Sequence, residues 1–179
     1  MRLFAVPFLP FVAVLWTSSG SLPGQDARLL KDVSLTPQAD SSSLPASFTP
    51  VQRGLVFGAW RHDSGRELWF SDGTTAGTTL VRDLVPGADS GYLGPSIGLR
   101  GVALFVADDH VHGAELWASD GSAAGTQLIA DLRPGADGSS PRDLLAASTF
   151  VWFTADDGVH GREVWRTDGT AAGTTLLLD

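Results

Sequence analysis

The chain has 179 residues, with 12 Lys+Arg against 20 Asp+Glu, a formal net charge of −8. Phosphate binding needs clustered cations, so nucleic acid is a poor partner, and an anionic membrane surface is disfavoured for the same reason. The absence of Cys excludes disulfides, thiolate metal sites and a Cys nucleophile, and 21 Gly with 10 Pro favour turns and strands over long helices.

In chain order, the first predicted element is an export signal. Leu3 to Trp16 is a nearly unbroken apolar run behind a single cation, Arg2, and is followed by Thr17, Ser18, Ser19, Gly20 and Ser21. A charged start, a short apolar stretch and a small-residue tail form the pattern of a secretory signal peptide. The run is 14 residues long and contains Pro7 and Pro10. A membrane-spanning helix needs about 20 apolar residues, so no permanent span is expected. Residues 1–20 read as the signal and 21–27 as a linker, which places the mature chain outside the cytoplasm, secreted, periplasmic or at the cell surface. The competing reading is an apolar N-terminal strand.

Residues 28–179 are dominated by a repeat. Trp69, Trp117 and Trp165 are spaced 48 and 48 apart, each within the same phrase: Glu67-Leu-Trp-Phe-Ser-Asp-Gly-Thr, Glu115-Leu-Trp-Ala-Ser-Asp-Gly-Ser and Glu163-Val-Trp-Arg-Thr-Asp-Gly-Thr. These hold the only three Glu of the chain. Aligned without gaps, 103–131 and 151–179 share 17 of 29 residues, and 55–83 and 103–131 share 15 of 29. The units lie near 34–84, 85–132 and 133–179. In the middle unit, 102–107, 114–119 and 126–132 read as strands, separated by turns at 108–113 and 120–125. A Gly/Ser-rich loop then leads to a weaker apolar stretch, 144–147. Four short strands at this spacing predict a four-stranded antiparallel sheet. Val102, Leu104 and Val106 point one way, and Ala103, Phe105 and Ala107 the other. A sheet apolar on both faces must be covered on both. The predicted fold is therefore all-β: a partial β-propeller, or a stacked array, of about three such sheets.

The phrase Glu-Leu-Trp-x-x-Asp-Gly-Thr resembles the signature of the ELWxxDGT repeat family of secreted or surface bacterial proteins, some labelled hyalin-like. The match is closest at 67–74; 115–122 has Ser122 for Thr, and 163–170 has Val164 for Leu. Ala76-Gly77-Thr78, Ala124-Gly125-Thr126 and Ala172-Gly173-Thr174 are also similar to that family, as is Asp-Leu-x-Pro-Gly at 83–87 and 131–135. The resemblance covers roughly 28–179. It implies an extracellular, propeller-like repeat protein and no particular reaction. Arg28-Leu-Leu-Lys31-Asp32-Val33 resembles the third strand of a unit, as in Leu80-Val-Arg82-Asp83-Leu84. The mature chain thus opens on the end of a unit and closes at Asp179, before the expected Pro-Gly. The expectation is a fragment of a longer array, or a chain that self-associates through unpaired end sheets.

Few residues offer chemistry. Asp72-Gly73, Asp120-Gly121 and Asp168-Gly169 read as structural turns, the Asp accepting backbone N–H groups and the Gly taking positive φ. Asp108, Asp109, Glu115, Asp156, Asp157 and Glu163 are the candidate calcium ligands, because calcium takes several carboxylate oxygens on a flexible loop. The alternative is a solvated, hydrogen-bonded turn. It is favoured by the spacing, which lacks the Asp-x-Asp-x-Asp-Gly pattern, and by the first unit, which keeps Glu67 but has Trp60-Arg61 in place of the Asp pair. His110, His112 and His160 read as surface turn residues. Trp69, Trp117 and Trp165 read as packing between sheets, each N–H finding a carbonyl, with sugar stacking as the alternative. No catalytic residue, and no cofactor other than calcium, is assigned. The expected function is a non-enzymatic binding or scaffold surface for a protein or glycan. The alternatives are a secreted glycan hydrolase centred on the divergent Trp60, Arg61, His62 and Asp63, or a truncated fragment without activity of its own.

Overall fold

The computed structural model describes residues 29–33, 42–91 and 94–178. The expected signal peptide and linker lie outside the described residues. Twelve strands form three four-stranded antiparallel meanders, and no helix occurs among the described residues. The first sheet is β1 (Ala46–Val51), β2 (Gly54–Arg61), β3 (Gly65–Ser71) and β4 (Thr79–Arg82). The second is β5 (Ser96–Leu99), β6 (Val102–Asp108), β7 (Ala114–Ser119) and β8 (Gln127–Ala130). The third is β9 (Arg142–Ala146), β10 (Val151–Asp156), β11 (Arg162–Thr167) and β12 (Thr175–Leu178). The weak apolar stretch at 144–147 falls largely in β9, which pairs with β10. It therefore opens the third sheet rather than closing the second.

The repeat fixes register as well as strand order. Phe57 faces Trp69, Phe105 faces Trp117 and Phe153 faces Trp165 across the two central strands of each sheet. One pair further on, Ala59, Ala107 and Ala155 face Glu67, Glu115 and Glu163. Each fourth strand shifts register opposite the Trp, between Leu68 and Trp69, Leu116 and Trp117, and Val164 and Trp165. Register is strongly specified when a one-residue slip would turn apolar residues to water.

The two faces of the second sheet enter two different cores. Ala103, Phe105, Ala107 and Trp117 pack with Val51, Val56, Leu68, Val81 and Leu84 of the first sheet and the segment after it. Leu104, Val106, Leu116, Ala118 and Ile129 pack with Val151, Phe153, Ala155 and Trp165 of the third sheet. Alternation at period two thus becomes a three-layer stack, with one face of each sheet against the opposite face of the next. Phe57, Phe105 and Phe153 are at most 2% exposed. Burial of a side chain of this size contributes about 1.5–3 kcal/mol. The opening strands lie together: β1 lies against β5 and β6, and β5 against β9. Gln52 N donates to Gly101 O at 2.9 Å across the first two sheets.

Candidate functional site

Turns at the two ends of the strands carry most of the polar chemistry. The loop after the third strand of each sheet is built the same way three times. Asp72 Oδ1 accepts Thr74 N at 2.8 Å and Thr74 Oγ1 at 2.7 Å. Thr74 Oγ1 in turn accepts Gly77 N at 2.9 Å, and Thr78 Oγ1 donates to Thr74 O at 2.7 Å. Asp120 holds Ser122, and Asp168 holds Thr170, in the same arrangement. Gly73, Gly121 and Gly169 have φ of 88°, 91° and 93°, which a side chain disfavours. A Cβ at Gly77, Gly125 or Gly173 would collide with the Asp carboxylate, which explains the Ala-Gly-Thr that follows each phrase. The Thr or Ser hydroxyl holds each of the three Asp below the usual carboxylate range. All three carboxylates are thus engaged by their own loops.

The turn at the other end carries the candidate calcium ligands. Asp108 Oδ1 accepts His110 N at 2.7 Å. Asp109 Oδ1 accepts Val111 N and His112 N, and its Oδ2 pairs with His112 Nδ1 at 2.8 Å. The third sheet repeats this: Asp156 caps Gly158 N, and Asp157 accepts Val159 N and His160 N and pairs with His160 Nδ1 at 2.6 Å. Hydrogen bonds from His160 and Val159 draw Asp157 down to about 2, and the Asp109 carboxylate raises His112. The tips between them expose Val111 and Val159, at 65% and 80%.

Glu115 stands apart from this turn chemistry. It is fully buried and accepts Arg133 N at 3.1 Å, Ser139 N at 2.8 Å and Ser139 Oγ at 2.5 Å. Glu67, also fully buried, accepts Leu84 N at 3.0 Å and Gly91 N at 2.9 Å. Each carboxylate ties down the segment that crosses to the next sheet. Glu163 is half-buried, with no such bond among the described residues. Burial raises both latching carboxyls, Glu67 to about 7, against the downward pull of the backbone N–H groups. The latch also explains why Glu67 persists without an Asp pair. Among the described residues, no three His, Asp or Glu side chains gather in a group suited to a metal ion.

Trp69, Trp117 and Trp165 are buried at 3%, 4% and 9% exposure. Their indole N–H groups differ from expectation: all three Nε1 atoms are buried without a hydrogen-bond partner. Arg61 lies over the Trp69 ring at 5.6 Å and Arg82 over the Trp117 ring at 5.6 Å, so the rings meet cations through their faces. Trp152, by contrast, is 43% exposed. In the divergent first unit, Arg61 pairs with the exposed Asp63, and Trp60 meets His62 edge-on at 6.1 Å. A cleft of about 580 Å³ lies elsewhere, between Pro50–Leu55 and Asp72, and does not include these four residues. Among the described residues, no helix is long and apolar enough to cross a membrane. The chain matches no family model, no curated protein and no solved structure.

Proposed function

We propose that the chain is an exported, non-enzymatic repeat protein of the ELWxxDGT kind, whose sheets stand as adjacent leaves of a propeller and whose turns form a binding or scaffold surface for a protein or glycan. One observation carries this reading: the duplicated carboxylates are committed to structure. Asp72, Asp120 and Asp168 close their own loops, Asp109 and Asp157 close theirs, and Glu67 and Glu115 hold the crossovers. A catalytic carboxylate must face substrate. The contacts among β1, β5 and β9 support the radial arrangement, because opening strands of neighbouring leaves meet at a common axis. The apolar run behind Arg2 supports export. The turns with exposed Val111 and Val159, each flanked by an Asp–His pair, present the same tip twice and suit a partner read by shape and apolar contact.

A glycan and chromogenic-glycoside screen on the full chain tests the reading. Binding without turnover is the expected result. Turnover abolished by Asp63→Ala would replace the scaffold reading with the hydrolase.

A further inference from the structure

The two latching glutamates hold matched crossovers, but their surroundings differ at two positions. Gly91 stands 48 residues before Ser139, so Glu67 lacks the hydroxyl donor that Ser139 gives Glu115 at 2.5 Å. A Cβ at Gly91 would come within 2.8 Å of Leu84 Cβ, so a serine does not fit the first crossover as it packs. Asp83 and Asp131 are matched in the same way. Asp131 is exposed, whereas Asp83 Oδ1 is buried without a hydrogen-bond partner among the described residues. Asp83 directly precedes Leu84, whose N–H donates to Glu67 Oε2 at 3.0 Å, and its charge acts on Glu67. Buried carboxylate oxygens need donors. Two acceptors short of a donor thus lie near each other, and one proton between them serves both.

We propose that Glu67 and Asp83 share one proton, and that this carboxyl pair is a pH-sensitive clasp on the first crossover. With the proton in place, Glu67 donates to Asp83 Oδ1 and still accepts Leu84 N and Gly91 N. With the proton gone, two carboxylates face each other in a buried site, and Asp83 turns out to water. Burial first, and the Asp83 charge after it, raise Glu67 to about 7, so the proton leaves close to neutral pH. Neighbouring charges are directed elsewhere. Arg66 alternates to the other face of β3 and donates to Leu44 O, and Arg82 donates to Thr126 O. Asp89 is exposed, and Asp108 turns its carboxylate to His110 N. Ala59, opposite Glu67 on β2, and Ala107 of the second sheet carry no charge. Gly91 O accepts Asp108 N at 2.9 Å, so the clasp is joined to the turn that exposes Val111. The third sheet repeats this link, Asp156 N donating to Ser139 O at 3.0 Å, but there the serine hydroxyl supplies the donor and no shared proton is needed. The inference is independent of what the turns bind.

Glu67, Glu115 and Glu163 are the only three Glu of the chain, so carbon-13 labelling of the glutamate carboxyl gives three resonances to follow against pH by NMR. Glu67→Gln assigns the first. The Glu67 carbon is expected to titrate at about 7. Asp83→Asn, which removes the partner charge, should lower that midpoint by about one pH unit or more, a tenfold weaker hold on the proton. Asp131→Asn, at the matched exposed position, should leave it where it is. The Gly91 amide should shift at the Glu67 midpoint and lose that step in Glu67→Gln, while the Ser139 amide shows no step there. A wild-type Glu67 midpoint in the ordinary carboxylate range overturns the shared proton. So does a midpoint that Asp83→Asn leaves unmoved in a variant with wild-type circular dichroism. A wild-type midpoint lowered by millimolar calcium, but not by sodium at equal ionic strength, assigns the pair to a bound cation and overturns it as well.

Discussion

The inner and outer faces of the stack are built from the same repeat and differ where cover differs. On the covered faces, Val56 and Leu104 are 1% and 0% exposed. The equivalent position on the far face of the third sheet is Trp152, 43% exposed. Val106, buried between sheets, is replaced there by Thr154, and Ala118 by Arg166, which bonds Thr175 and lies over the Phe150 ring at 4.9 Å. One framework thus carries side chains chosen by neighbourhood: apolar and small-to-medium between sheets, amphipathic and polar on the outside.

Substitutions at matched positions break this comparison most strongly. Phe105→Ala empties a site packed between two sheets and is expected to lose about 3–5 kcal/mol, whereas Trp152→Ala is expected to lose at most about 1 kcal/mol. Urea denaturation of the two variants measures both. Next come the latches. Glu115→Ala leaves Arg133 N, Ser139 N and Ser139 Oγ without their acceptor and should cost about 1–3 kcal/mol. Glu163→Ala, outside such a latch among the described residues, should cost clearly less in the same assay.

A pH titration sharpens the contrast between latch and turn. Burial raises Glu67 to about 7 from 4.5, so the folded state holds this proton more tightly than the unfolded chain. The resulting stability is fully present below pH 4.5 and is lost as pH rises through 7. The Tm of the wild type should fall across that window, and Glu67→Gln, which does not titrate, should flatten the fall. The smallest effect is expected at the Asp-Gly loops. Asp72→Ala, Asp120→Ala and Asp168→Ala should each lower the urea midpoint slightly, less than Glu115→Ala does, and nearly equally in all three sheets, because the loops are alike whatever covers the faces. Unequal costs would show that the loops also work across the interfaces.

Much of the fold is legible from two periodicities. The 48-residue spacing of Trp69, Trp117 and Trp165 delimits three sheets, and the alternation Ala103, Phe105, Ala107 against Leu104 and Val106 assigns opposite faces to opposite neighbours. Less legible was anything decided by the crossovers. Glu115 was a calcium candidate because it follows Asp108 and Asp109 closely in sequence, yet its carboxylate turns to Arg133 and Ser139, 18 and 24 residues on. The presence of Glu67 in a unit without the Asp pair was the available signal. The indole N–H groups were expected to meet carbonyls, but tight packing of Phe and Ala against the rings leaves each Nε1 buried and unbonded. Likewise β9 gives a weak signal because its apolar residues run consecutively, Leu144-Leu145-Ala146, and four of its five residues are exposed, so no alternation marks a buried face.

Face-to-face packing of the sheets is tested most directly by a pair of double-mutant cycles in urea. Phe105→Ala combined with Val56→Ala, which share one core, should show a coupling of about 0.5–3 kcal/mol, and Phe105→Ala combined with Phe153→Ala, which occupy different cores, should add within about 0.5 kcal/mol. Additivity in the first pair together with coupling in the second would contradict the stack.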